Sequence, residues 1–193
     1  SFIATAWTIV AAGARPVFVD AADDYTIDPA LLASAVSPRT RAIMPVHLTG
    51  RPADMDAIND IAQRHSLHVI EDAAQAVGAR YRGRRVGGLG TAAGFCLHPL
   101  KNLGIYGDGG LVTTNSDEIH ERVRKLRNHG LRNRDECELW GYNSRLDSLQ
   151  AGLASIKLRH LEAWNARCCE IAACYREGLR DIVWVPDDKD PYE

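Results

Sequence analysis

The sequence lacks most of the signatures that would assign it quickly. Its 5 cysteines, Cys96, Cys137, Cys168, Cys169 and Cys174, form no Cys-x-x-Cys pair. No histidine stands at zinc spacing from any two of them, so no metal is expected. An odd set of thiols reads as reduced cysteines of a cytoplasmic protein. There is no G-x-S-x-G and no H-E-x-x-H, which excludes a triad hydrolase of that type and a zinc protease. No G-x-G-x-x-G joins a strand to a helix, so the nicotinamide reading is weak. No apolar run approaches the roughly 20 residues of a spanning helix, and no membrane partner is expected. Net charge is also nearly absent: 23 Lys+Arg against 25 Asp+Glu leave −2, with no general pull towards nucleic acid.

What is present is ordinary globular material, 46% hydrophobic and 25% charged over 193 residues. A chain of this size buries enough apolar surface to need no disulfide or metal staple. It opens at Ser1 in an apolar, strand-like segment and stops just after an acidic run at 187–190, which reads as a piece of a longer protein. Short β-branched runs then alternate with helical patterns, the mark of a largely parallel sheet covered by helices. Strands are predicted at 16–20 (PVFVD), 41–46 (RAIMPV), 68–71 (HVIE), 92–97 and 111–114. Helices are predicted from Asp28-Pro29 to about Val36, over 54–65 and over 117–126, and the stretch 147–179 reads as one long helix or a bent pair. Six glycines between Gly78 and Gly94 point to tight turns over a site.

Ligands of parallel α/β sheets collect at the carboxyl ends of strands. Two such ends carry reactive groups here. The segment VIEDAAQ delivers Asp72, and FCLHPLKNLG delivers Lys101. A carboxylate and an amine at neighbouring strand ends form either a plain ion pair or a working pair. Asp72 is followed by two alanines and Gln75, room for something flat, and glycine-rich backbone follows Lys101 at 107–110. An acid for a ring nitrogen and a lysine for a carbonyl are what pyridoxal phosphate requires. Lysine suits this because a desolvated amine loses its proton and becomes nucleophilic.

Five motifs occur in order: EDAAQ, GRRVGGLG, HPLKNLG with YGDGG, RNHG, and GYNSRLDSLQA. On these the chain closely resembles the DegT/DnrJ/EryC1/StrS sugar aminotransferases, fold type I pyridoxal-phosphate enzymes, over nearly its whole length. The resemblance implies a three-layer α/β/α fold with a mostly parallel mixed sheet, followed by long helices. Residues 1–160 would be the cofactor-binding large domain, its N-terminal part missing, and 161–193 a helical connection towards a small domain largely absent. Lys101 matches the lysine that forms the Schiff base and shuttles the proton. Asp72 matches the acid opposite the pyridinium nitrogen, Gln75 the glutamine near the ring hydroxyl, and Ala74 a residue beneath the ring. Asn143 matches an asparagine reaching the phosphate of a neighbouring subunit's cofactor, and Arg145 supports that contact or a substrate phosphate. A homodimer with shared sites follows. So does the reaction: a keto-sugar or keto-cyclitol, nucleotide-linked or not, becomes an amino sugar with glutamate or glutamine as donor.

Three positions depart from the pattern. Cys96 stands where the family has a phosphate-binding serine, and a thiol is the poorer donor. Leu100 replaces a hydroxyl residue before the lysine, and His98 replaces an aromatic. These losses motivate the alternative, a non-catalytic dimeric relative serving as an interaction or regulatory module. The retained Lys101 speaks against a dehydratase branch with His in its place. Among the other features, the basic residues from Arg122 to Arg134 read as a solvated helix face or a contact for substrate phosphates. His47 and His129 read as loop residues bonded to backbone. Trp140, Trp164 and Trp184 read as packing or interface residues.

Overall fold

The main sheet of the computed structural model has the strand order β1-β2-β5-β6, with residues 2–185 described. Strands β1 (Ala42–Ile43), β2 (His68–Asp72) and β5 (Ala92–Cys96) run parallel, and β6 (Gly110–Thr114) closes the row antiparallel to β5. Between β2 and β5 a two-stranded hairpin, β3 (Arg80–Tyr81) and β4 (Arg84–Arg85), occupies part of the glycine-rich stretch. The helices are α1 (Ile3–Ala11), α2 (Pro29–Ala35), α3 (Met55–Arg64), α4 (Asp117–Leu126), α5 (Ser148–Leu158) and α6 (Leu161–Leu179). The expected mostly parallel mixed sheet flanked by helices is therefore present. No helix among the described residues is long and apolar enough to cross a membrane.

Local chemistry explains most of the boundaries. Asp28 accepts the Ala30 amide at 2.8 Å, with Pro29 in the first turn of α2. Asp54 accepts the Ala57 amide at the start of α3 and also the Tyr81 hydroxyl at 2.8 Å, which ties the hairpin to that helix. Burial and the Asp54 hydrogen bond push the Tyr81 phenol up to about 12. Ser116 caps α4, whose first turn is acidic and last turn basic, matching the helix dipole. Helix α3 turns Met55, Ile58, Ile61 and Ala62 into the main core, against Ile43, Val69 and Leu89. A second cluster holds Val77, Leu97, Leu103, Ile105 and Leu161, and lies beneath the segment that carries Lys101.

Three expectations change. The opening segment is helix α1 rather than a strand. Its β-branched residues favour a strand locally, but the Thr8 hydroxyl bonds the Thr5 carbonyl at 3.0 Å and the helix forms without burying a residue. Residues 16–20 belong to no strand, with Val17 and Phe18 exposed. An extended backbone needs a neighbouring ladder, and the nearest pairing is the isolated bridge Ala21↔Ile27. The strand predicted at 41–46 shrinks to Ala42–Ile43 because Pro45 has no amide to donate, and pairing resumes as a bridge between Val46 and Asp72. The stretch 147–179 is a bent pair, α5 and α6, broken at Arg159-His160.

Ile58 is fully buried on α3. Truncation to alanine in the full-length protein is expected to cost about 2–5 kcal/mol, read as a lower denaturant midpoint at unchanged slope.

Candidate active site at the carboxyl ends of β2 and β5

Asp72 ends β2 and pairs in register with Gly94 of β5. Its amide donates to the Pro45 carbonyl at 2.9 Å and its carbonyl accepts the His47 amide at 3.0 Å. Both oxygens of its carboxylate are engaged. Oδ1 accepts the Ala74 amide at 3.1 Å, and Oδ2 accepts the Thr5 hydroxyl at 2.6 Å. Ala74 is half-buried in the turn that follows. One residue further, Gln75 Oε1 accepts the Thr49 amide at 3.2 Å. Thr49 sits in a tight turn, Leu48–Gly50, with φ of 57°, so its amide is presented by a left-handed backbone.

The lysine is carried by a turn with little freedom. Its amide donates to the His98 carbonyl at 2.8 Å, and the His98 Nδ1 accepts the Leu100 amide at 3.2 Å. Cys96 Sγ in turn accepts the His98 amide at 3.4 Å. Asn102 reaches the Val77 carbonyl at 2.7 Å and Asn165 of α6 at 3.2 Å. Gly104 is required where it stands, because a Cβ there would lie 2.5 Å from the Pro99 carbonyl oxygen. Its own carbonyl accepts Lys157 Nζ from α5 at 2.5 Å.

An open cavity of about 230 Å³ is lined by Thr49, Gln75, Leu100, Lys101 and Asn102. The structure thus brings Lys101 and Gln75 to one hollow. The acid Asp72 and the thiol Cys96 end the two adjacent strands. Asn143 and Arg145 do not line that hollow. They lie exposed on the segment before α5, with Asn143 bridged to Asn128 and Arg145 Nη1 donating to Asn128 Oδ1 at 3.1 Å. Trp140 is almost wholly exposed among the described residues.

His47, expected as a loop residue bonded to backbone, is also joined to Glu71 of β2. His47 and Glu71 are both fully buried, with Nε2 and Oε2 3.0 Å apart. His47 Nδ1 accepts the Ala53 amide at 3.1 Å, so its hydrogen sits on Nε2 and is donated to Glu71. Glu71 further accepts the amides of Gly87 at 2.8 Å, Leu89 at 2.8 Å and Gly90 at 2.7 Å. Burial pushes the Glu71 carboxyl up, but the His47 bond and the amides of Gly87 and Gly90 overcome it and leave the group below its ordinary value. A signal was available: Glu71 falls in the inward phase of HVIED, alternating with Val69, where a charge needs a partner. Among the described residues no group of histidine, cysteine and acidic side chains is placed to hold a metal.

The sequence profile of the DegT/DnrJ/EryC1/StrS aminotransferase family matches residues 1–191. The chain belongs to that family. Among its relatives is the Streptomyces venezuelae dTDP-3-amino-3,4,6-trideoxy-alpha-D-glucose transaminase, 52% identical over 96% of this chain and 49% of the relative. Another, from Geobacillus stearothermophilus, is named a pleiotropic regulatory protein and is 50% identical over 98% of this chain and 52% of its own length. The fold superposes with a TM-score of 0.96 on the crystal structure of S. venezuelae DesV in complex with a ketimine intermediate, at 48% identity, covering all of this chain and 53% of that one. This aminotransferase-family chain spans about half the length of the curated relatives it matches.

The Glu71 network yields a pH-dependent expectation. Its folded pKa lies below the unfolded reference of 4.5, so its stabilisation is complete above that reference and is lost as pH falls through the lower folded value. Glu71→Gln leaves the amides facing a poorer acceptor and is expected to cost about 1–3 kcal/mol near neutral pH. In melting curves of the full-length protein, the gap between wild type and variant closes as the buffer is taken below pH 4.5.

Proposed function

We propose that the complete protein is a pyridoxal-phosphate-dependent aminotransferase that turns a keto-sugar or keto-cyclitol into an amino sugar, with glutamate or glutamine as donor. The observation that carries the reading is the placing of Lys101 and Gln75 on one cavity, at the strand ends where Asp72 and Cys96 also stand. The donor set fits the cofactor. An amine suits its carbonyl, a carboxylate its ring nitrogen, an amide its ring hydroxyl, and the small Ala74 leaves room beneath a flat ring. The sugar transaminase among the relatives supports the substrate class.

When bound, pyridoxal phosphate supplies an electron sink for the carbon that loses its proton. The protein's residues do the rest. Lys101 Nζ tethers the group and, once released, takes up and returns that proton. Asp72 holds a proton on the ring nitrogen through its carboxylate. Gln75, steadied by the Thr49 amide, offers its side-chain NH₂ as a donor. Cys96, which ends β5 with its sulfur already accepting the His98 amide, would face the phosphate.

We assign residues 1–160 to the cofactor-binding domain and 161–193 to the connection leading onward, the last eight residues of which lie outside those described. The active form is a cytoplasmic homodimer. Asn143 and Arg145, exposed and remote from the Lys101 cavity within one chain, then serve the cofactor or substrate phosphate of the second subunit. The exposed Phe2, Trp7, Phe18 and Trp140 are apolar surface of the kind a second subunit covers.

The regulatory name of one relative keeps a second reading in view, a dimeric interaction module without catalysis. Adding pyridoxal phosphate to the full-length protein separates the two. The enzyme reading expects a visible absorption band that Lys101→Ala abolishes, together with a loss of amino transfer of at least about 100-fold. An identical band in both proteins overturns the role of Lys101, and absence of any cofactor binding favours the module.

A further inference from the structure

Helix α1 buries none of its residues, yet one of its side chains reaches 67 positions along the chain to the acid of the site. We propose that Thr5 is a positioning residue that sets the plane of the Asp72 carboxylate, an inference that rests on the reading of Asp72 as the partner of the cofactor's ring nitrogen. The terminal torsion of an aspartate is broad and close to two-fold, so a carboxylate with one partner swings readily. Here two donors hold it from different directions. The Ala74 amide approaches Oδ1 from the turn that follows β2, and the Thr5 hydroxyl approaches Oδ2 from α1. At 2.6 Å the second bond has the length of a hydroxyl donating to a carboxylate. Each oxygen keeps a further acceptor position, so a third donor finds a carboxylate already aimed.

Thr8 marks the contrast. It stands one turn further along α1, and its hydroxyl is spent on the Thr5 carbonyl of its own helix. Thr5 is therefore the α1 hydroxyl that reaches the site.

The test uses the full-length protein and three variants. Thr5→Val keeps the shape and removes the donor, Thr5→Ala removes the branch as well, and Thr5→Ser keeps the hydroxyl. Pyridoxal phosphate affinity and the ¹⁵N shift of a labelled ring nitrogen are read in each, with melting of the cofactor-free protein as the measure of folding. The expected result is cofactor binding about tenfold weaker in Thr5→Val and Thr5→Ala, a ring-nitrogen shift moved towards the unprotonated form, and recovery of both in Thr5→Ser with unchanged melting. Wild-type affinity and shift in the valine and alanine variants overturn the proposal, as does failure of serine to restore them. Asp72→Asn is the control. If it too leaves the ring-nitrogen shift unmoved, the reading of Asp72 itself falls. If it moves the shift and Thr5→Val does not, only the role of Thr5 is lost.

Discussion

A single buried carboxylate organises the ground beneath the site. Glu71 accepts three backbone amides from the glycine loop and the Nε2 hydrogen of His47. Removing a charge from water is costly unless its lone pairs are filled, and here four donors fill them. The arrangement joins the end of β2, the glycine loop at 87–90 and the turn after His47. Because successive side chains of a strand point to opposite faces, the acid that builds this support stands directly beside Asp72, which faces the other way. Two adjacent carboxylates thus do different work, one sealed in the core and one left at the rim with Thr5 and Ala74.

How legible this was depended on whether the cause was local. Asp28-Pro29 and the helical patterns over 54–65 and 117–126 are local signals, and the structure places α2, α3 and α4 accordingly. Asp72 and Lys101 stand out because each follows an apolar strand. The misread segments are those decided by distant neighbours. Residues 16–20 have strand composition but no ladder, and α1 is helical against its β-branched content. Thr5 and Thr49 carry no motif of their own, since their partners Asp72 and Gln75 lie 67 and 26 positions away. His47 bonds backbone, as a loop residue is expected to, through the Ala53 amide. Its larger bond, to Glu71, depends on the chain returning to it.

The departures in the lysine segment have local uses. The sulfur of Cys96 accepts the His98 amide and the imidazole of His98 accepts the Leu100 amide, so both side chains shape the turn that presents Lys101. Leu100 projects into solvent at the lip of the cavity instead. Both contacts brace the turn that holds Lys101 at the hollow.

The reversed direction of β6 has a consequence for how such a scaffold diversifies. Because β6 returns alongside β5, the segment bearing Lys101 leaves and re-enters the sheet on neighbouring rungs, with the Leu97 amide bonded to the Gly109 carbonyl at 2.8 Å. A loop with both feet on one step closes on itself, and its length weighs only slowly on the free energy of the whole. Leu103 and Ile105 seat that loop in the core, so variation in it falls to the solvent-facing Leu100 and Tyr106, while the strands below keep their register.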